Sequence, residues 1–115
     1  MTVDHPIHIA PARTKVKILW RGKVVAESEN ALELLEHTYP PVIYVPRADA
    51  DMALLERSDR ETICPYKGVA NYFSLVSDGV AERNAVWTYE SPLPTAAGIK
   101  DHLAFYPDKV EIQRG

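Results

Sequence analysis

The chain is poor in the residues that staple small proteins together. Its 115 residues include one cysteine, five glycines, two phenylalanines and two tryptophans. A single cysteine forms neither an internal disulfide nor a four-cysteine zinc site, so packing must hold the core. No apolar run approaches the ~18 residues of a membrane span, and Met1-Thr2-Val3-Asp4-His5-Pro6 lacks the charged and apolar regions of a signal peptide. These absences set the expectation of a cytoplasmic, reducing compartment and of no membrane partner. An excess of one charge sign is missing too. Thirteen basic against 16 acidic residues give a net charge of −3, which disfavours a nucleic-acid partner. The length suits one domain that buries roughly two thirds of its unfolded surface.

Proline is what the chain has in quantity, at positions 6, 11, 40, 41, 46, 65, 92, 94 and 107. Proline fixes φ and donates no hydrogen bond, so it marks where regular elements stop. Between these marks the chain reads as strands. Lys15–Trp20 and Lys23–Glu27 flank Arg21-Gly22 as a hairpin. Asn30–His37 has helical propensity but is too short and too close to Pro40-Pro41, so a strand is expected. Val42–Val45 is a short buried strand, and Asp49 is placed to cap a helix carrying Met52, Leu54 and Leu55 and ending near Arg57-Ser58. Thr62-Ile63-Cys64 enters a tight loop, Pro65-Tyr66-Lys67-Gly68, with glycine at the left-handed position. Val69–Val76 returns from it as a second hairpin, and Ala85–Tyr89 is a further strand. A helical turn is expected over 95–100, then a bent strand pair made of Leu103–Tyr106 and Val110–Ile112. Residues 1–14 read as an extended N-terminal arm and 15–115 as one domain. The fold class expected is mainly β with one or two short helices.

Four runs taken together carry a resemblance. They are Trp20–Ser28, Pro40–Asp49, Thr62–Gly68, and Ala85–Tyr89 with Pro92-Leu93-Pro94 and Ala104–Val110. In this order they resemble the bacterial family catalogued as domain of unknown function 427, also labelled a nucleotidyltransferase domain, over about residues 15–113. The resemblance implies a β-tent-like fold: two small antiparallel sheets meeting at an angle, as in methionine sulfoxide reductase B and cereblon's ligand-binding domain. It implies no known reaction. The four-cysteine zinc site of many such folds is not available to a chain whose one cysteine is Cys64.

Several residues invite chemistry. Asp49-Ala50-Asp51 suggests a metal-dependent nucleotidyltransferase. However, carboxylates at i and i+2 on a helix diverge by about 200°, and no Gly-Ser phosphate loop precedes them. Capping and solubility are the expected roles, and neither metal nor cofactor is assigned. Cys64, beside Lys67, is a candidate nucleophile, with His37 and His102 as candidate bases, or else a buried structural thiol. Arg47, Tyr66 and Lys67 form a candidate anion site. The structural alternative is an Arg47–Asp49 or Arg47–Asp108 ion pair with Lys67 solvated. Trp87 and Tyr89, two apart on one strand, form a candidate aromatic wall. The expected function is therefore a metal-free module binding a small anionic or aromatic ligand through Arg47, Tyr66, Lys67, Trp87 and Tyr89. The alternatives are an enzyme using Cys64 or acting on a nucleotide, and a homo-oligomeric interaction domain.

Overall fold

The computed structural model describes residues 6–115. Ten strands follow one another: β1 Ile7–Pro11, β2 Val16–Trp20, β3 Lys23–Ser28, β4 Leu32–Glu36, β5 Val42–Pro46, β6 Leu55–Cys64, β7 Gly68–Ser77, β8 Val80–Thr88, β9 His102–Phe105 and β10 Glu111–Arg114. They form two antiparallel sheets, one of seven strands in the order β1-β4-β5-β9-β8-β7-β6 and one of three in the order β10-β2-β3. The expected mainly β, β-tent-like pair of antiparallel sheets is what the chain forms, although the two sheets are unequal. No helix among the described residues is long and apolar enough to cross a membrane.

The β2–β3 hairpin shows how local chemistry sets the register. Arg21 and Gly22 both take positive φ, at 53° and 79°, so the two-residue turn twists with the same hand as its strands. Trp20 then pairs with Lys23, and Val16, Ile18 and Trp20 all face inward. That face meets Val45, Phe73, Leu75, Val86, Leu103 and Phe105 of the larger sheet, giving the core between the two sheets. The larger sheet has a second buried face. Leu34, Tyr44, Ala70, Tyr72, Tyr89 and Ala104 pack there, with Ala96 and Ile99 of a 3-10 turn, Pro94–Ile99, laid over part of it. A strand buried on both sides reads as a continuous apolar run, and Val42-Ile43-Tyr44-Val45 is such a run.

Three expectations are corrected. The helix opened by Asp49 is absent; two single 3-10 turns, Arg47–Asp49 and Met52–Leu54, stand there, and Leu55 already begins β6. The Asp51 N–H donates to the Val25 carbonyl at 2.7 Å, and Ala50 bridges to Ala26. These bonds draw the segment onto β3 and override its helical propensity. The terminal strand pair also separates: β9 joins the larger sheet between β5 and β8, whereas β10 pairs with β2 in the smaller one. The turn at Pro107–Lys109, closed by Lys109 N–H to the Tyr106 carbonyl at 3.0 Å, carries the chain from one sheet to the other. Finally, the segment expected as an arm is extended but docked. From Ile7 to Pro11 it is an edge strand on β4, with Ile9 against Gly98. The first five residues of that expected arm lie outside the described residues.

Leu103 is fully buried in the four-residue strand that joins the two halves of the larger sheet. Leu103→Ala is expected to cost about 2–5 kcal/mol, measured by urea unfolding. Val24→Ala, at a 43% exposed position, is expected to stay within about 0.5 kcal/mol of the parent.

Candidate functional site

Alternate residues of a strand share a face, and the pairing registers therefore place a defined set of side chains on the side of the larger sheet turned away from the smaller one. Leu34 and Glu36 come from β4, Tyr44 from β5, Ala104 from β9, Trp87 from β8, Tyr72 from β7, and Thr62 and Cys64 from β6. A flat sheet with strands about 4.8 Å apart would hold β4 and β7 roughly 19 Å apart, beyond the joint reach of a lysine and a glutamate. Yet Lys67 Nζ, in the β6–β7 loop, donates to Glu36 Oε1 at the end of β4. Both side chains are largely buried, at 12% and 14% exposure. The sheet is curled, and this ion pair spans its concave side.

The loop carrying Lys67 is fixed on its outer flank. Lys67 N–H donates to the Cys64 carbonyl at 3.3 Å, the Lys67 carbonyl accepts from Leu93 N–H at 2.9 Å, and Thr95 Oγ1 donates to the Tyr66 carbonyl at 2.7 Å. Gly68 has φ +110°, and a Cβ there would lie 3.4 Å from Leu93 N. The position therefore needs glycine both for its backbone angle and for the close approach of the 91–95 segment.

Inside the curl the aromatic groups form a connected set. Trp87 Nε1–H donates to Tyr44 Oη at 3.1 Å, with the rings edge-on at 6.3 Å. Trp87 and Tyr106 lie ring to ring at 4.6 Å, tilted by 49°. Tyr72 Oη is 3.0 Å from Thr62 Oγ1, and the Arg60 guanidinium sits 5.1 Å over the Tyr72 ring. Burial pushes the Tyr44 and Tyr89 hydroxyls up, and burial with Tyr72 alongside raises Tyr106 to about 12. Burial acts upward on Tyr72 as well. Contacts with Thr62, Tyr106 and Arg60 that favour its ionised form outweigh it, and the Tyr72 hydroxyl moves below its ordinary value. Tyr44, Tyr72 and Tyr89 are buried, while Trp87 and Tyr106 are half-buried. The result is a filled interior that presents a platform. Surface hollows of about 280, 310 and 350 Å³ lie elsewhere, the first of them lined by Arg57, Ser74, Arg83 and Asn84.

Of the candidate residues named from sequence, Lys67, Trp87, Tyr89 and Cys64 come from elements that meet on this face, and Tyr66 is at its loop. Arg47 is placed apart from them. It stacks on Phe73, in the core between the sheets, at 5.1 Å, and donates to Glu90 at 3.1 Å. Arg57 holds the same carboxylate with two bonds, at 2.9 and 2.8 Å. The expected Arg47 partners, Asp49 and Asp108, give way to Glu90, and Lys67 is paired rather than solvated. Thr62, Arg60 and Glu36 were missed, and Tyr44, Tyr72 and Tyr106 stood among the strand aromatics without being assigned to the site. A consistent inward alternation ending in Trp87 and Tyr89 could have pointed to Tyr72 and Tyr44. Nothing local could have pointed to Glu36, which meets Lys67 across 31 residues of sequence.

Cys64 is half-buried at the end of β6. The candidate bases have other contacts: His37 meets Tyr39 edge-on, and His102 Nδ1 is 2.8 Å from the Lys100 carbonyl. Asp49 accepts from Ser28 Oγ at 2.6 Å, and Asp51 caps the second 3-10 turn through Ala53 N–H at 3.2 Å. These bonds turn the two carboxylates to separate structural duties. No group of three His, Cys, Asp or Glu among the described residues is placed to hold a metal ion.

Two electrostatic outcomes follow. Lys67→Met removes the ammonium bonded to the largely buried Glu36 and is expected to cost about 1.5–3 kcal/mol. Adding Glu36→Gln should recover a large part of that loss in a double-mutant cycle read by denaturant unfolding, whereas strictly additive losses would contradict a coupled pair. For Glu90, the Arg57 bonds first, and then those of Arg47, outweigh burial and hold the carboxyl down at about 2, against an ordinary 4.5. Its folded form thus holds a proton more weakly than its unfolded form. The stability it contributes is complete above about pH 4.5 and is lost as pH falls through about 2. Glu90→Gln is expected to be about 1–2 kcal/mol less stable at neutral pH, with a flatter stability profile below pH 4.5 in acid titrations followed by circular dichroism.

No curated protein matches the chain. A family's sequence model does, from residue 8 to residue 114, and this span takes in all ten strands except the first residue of β1. The chain belongs to the family described as a domain of unknown function (DUF427).

Proposed function

We propose that this domain binds a small planar aromatic molecule on the Trp87–Tyr106 platform, without a metal. The observation that carries the reading is the fixed, half-exposed Trp87–Tyr106 pair, continuous with a buried set of tyrosine hydroxyls. Aromatic rings held by packing and by a hydrogen bond such as Trp87 to Tyr44 lose little conformational freedom on binding, and more of the stacking energy then appears as affinity. Of the residues first named for binding, Trp87 is the contact surface, and Tyr89 belongs to the buried cluster on which it packs. We assign the protein to the bacterial cytoplasm, a compartment that suits one unpaired, half-buried thiol.

The test is tryptophan fluorescence during titration with four probes: nicotinamide, nicotinate, adenosine and adenosine monophosphate. At least one is expected to give a saturable change at micromolar to millimolar concentration. That change should persist in Trp20→Phe and vanish in Trp87→Leu, because Trp20 is buried against the other sheet face. An unsaturable response to all four, or an equal response in Trp87→Leu, would overturn the reading.

A further inference from the structure

We infer that Arg60 makes the aromatic platform selective for ligands that carry an anionic group, a carboxylate or a phosphate monoester. The inference rests on the platform reading and adds the charge of the ligand. Most cations near the larger sheet are already engaged. Arg47 and Arg57 hold Glu90, Lys67 holds Glu36, Lys109 holds Glu82, and Arg114 holds Glu33. Arg60 has no ion pair with a carboxylate among the described residues; its guanidinium lies over the Tyr72 ring instead. A guanidinium stacked on an aromatic face is held in place while its N–H edges remain available to an anion.

Its position is built, because the β6–β7 register shifts between Arg57 and Glu61 and Arg60 N–H donates to Ser58 Oγ at 3.0 Å. Glu61 pairs with Asn71, so Arg60 stands level with Tyr72 on the tyrosine face, whereas Arg57, which pairs with Phe73, lies over Phe73 on the other side. Thr62 and Tyr72, 3.0 Å apart, add hydroxyls beside the guanidinium. Tyr72 moving below its ordinary value agrees with a locally positive corner. Of the carboxylates near this corner, Glu61 faces Asn71, accepting from its side chain at 3.2 Å. Asp108 acts on Tyr106. A planar ligand on Trp87 and Tyr106 would thus extend its charged substituent toward Arg60.

The same four probes separate the possibilities, because nicotinate and nicotinamide differ by a carboxylate, and adenosine monophosphate and adenosine by a phosphate. In the parent protein the anionic member of at least one pair is expected to bind about tenfold more tightly than its neutral partner. Arg60→Gln should remove that preference and leave the neutral probe within about twofold, while Arg60→Lys retains part of it. Arg83→Gln, in the hollow beside β8, should leave it intact. Which pair responds identifies the anion as carboxylate or phosphate. Equal affinity within both pairs, or a preference that survives Arg60→Gln, overturns the role of Arg60 while the platform stands. Failure of all four probes to bind overturns both. Arg60 is exposed, and a melting temperature unchanged by Arg60→Gln verifies that folding is not what the titration reads.

Discussion

The structure depends on how a seven-stranded sheet buries two faces with only one small sheet to cover them. One face is covered by β10-β2-β3. The other is covered only in part, by the turn at Pro94–Ile99, and must close on itself. The Lys67–Glu36 pair makes that closure possible by joining the β6–β7 loop to the end of β4 across the concave side. A largely buried ion pair of this kind gains little stability over apolar packing, but its geometry fits one arrangement of the loop and the strand. The Leu93 and Thr95 contacts hold the loop from the outside while Glu36 holds it from within. Trp87, Tyr106 and Tyr72 are ordered within this frame.

Much of this was legible from residues whose chemistry is local. Arg21-Gly22 specifies its turn through positive φ, Pro40, Pro41 and Pro46 bound β5, and Gly68 marks the loop after Cys64. What escaped was non-local. The run Glu56-Arg57-Ser58-Asp59-Arg60-Glu61 has no apolar alternation because β6 is a sheet edge, where charges block pairing with other chains. Its first residues, as far as Arg57-Ser58, therefore read as the tail of a helix. Ile7–Pro11 looked like an arm because an edge strand needs only one partner. The 3-10 turns between Pro46 and Leu55 follow from bonds to β3, which no propensity encodes.

The candidate site divides along the same line. Trp87, Tyr89, Lys67 and Cys64 were recognisable because each belongs to a strand end or tight loop whose neighbours announce it. Arg47 was misplaced because Pro46 and Asp49 describe its position but not which sheet face it takes; Glu90, 43 residues away, decides that. The two acidic anchors now have separate tasks. Glu90 gathers Arg47 and Arg57 over Phe73 on the core side, and Glu36 neutralises Lys67 on the tyrosine side. Arg60 is left as the cation beside the aromatic platform. In a family of unknown function, that division of charge says more about a ligand than the aspartates at 49 and 51 say about a nucleotidyltransferase, since one carboxylate is bonded to Ser28 and the other caps a turn.

Binding on the tyrosine face is read residue by residue in a two-dimensional amide and indole NMR titration of the intact protein with nicotinate and, separately, with adenosine monophosphate. Trp87 and Trp20 each give an indole signal, one from either side of the larger sheet. With at least one of the two, the Trp87 indole and the backbone amides of Arg60, Thr62, Tyr72 and Tyr106 are expected to shift together on one saturation curve, with the Trp20 indole unmoved. Shifts centred instead on Ser74, Arg83 and Asn84, or a spectrum unchanged at millimolar concentrations of both probes, would contradict this reading.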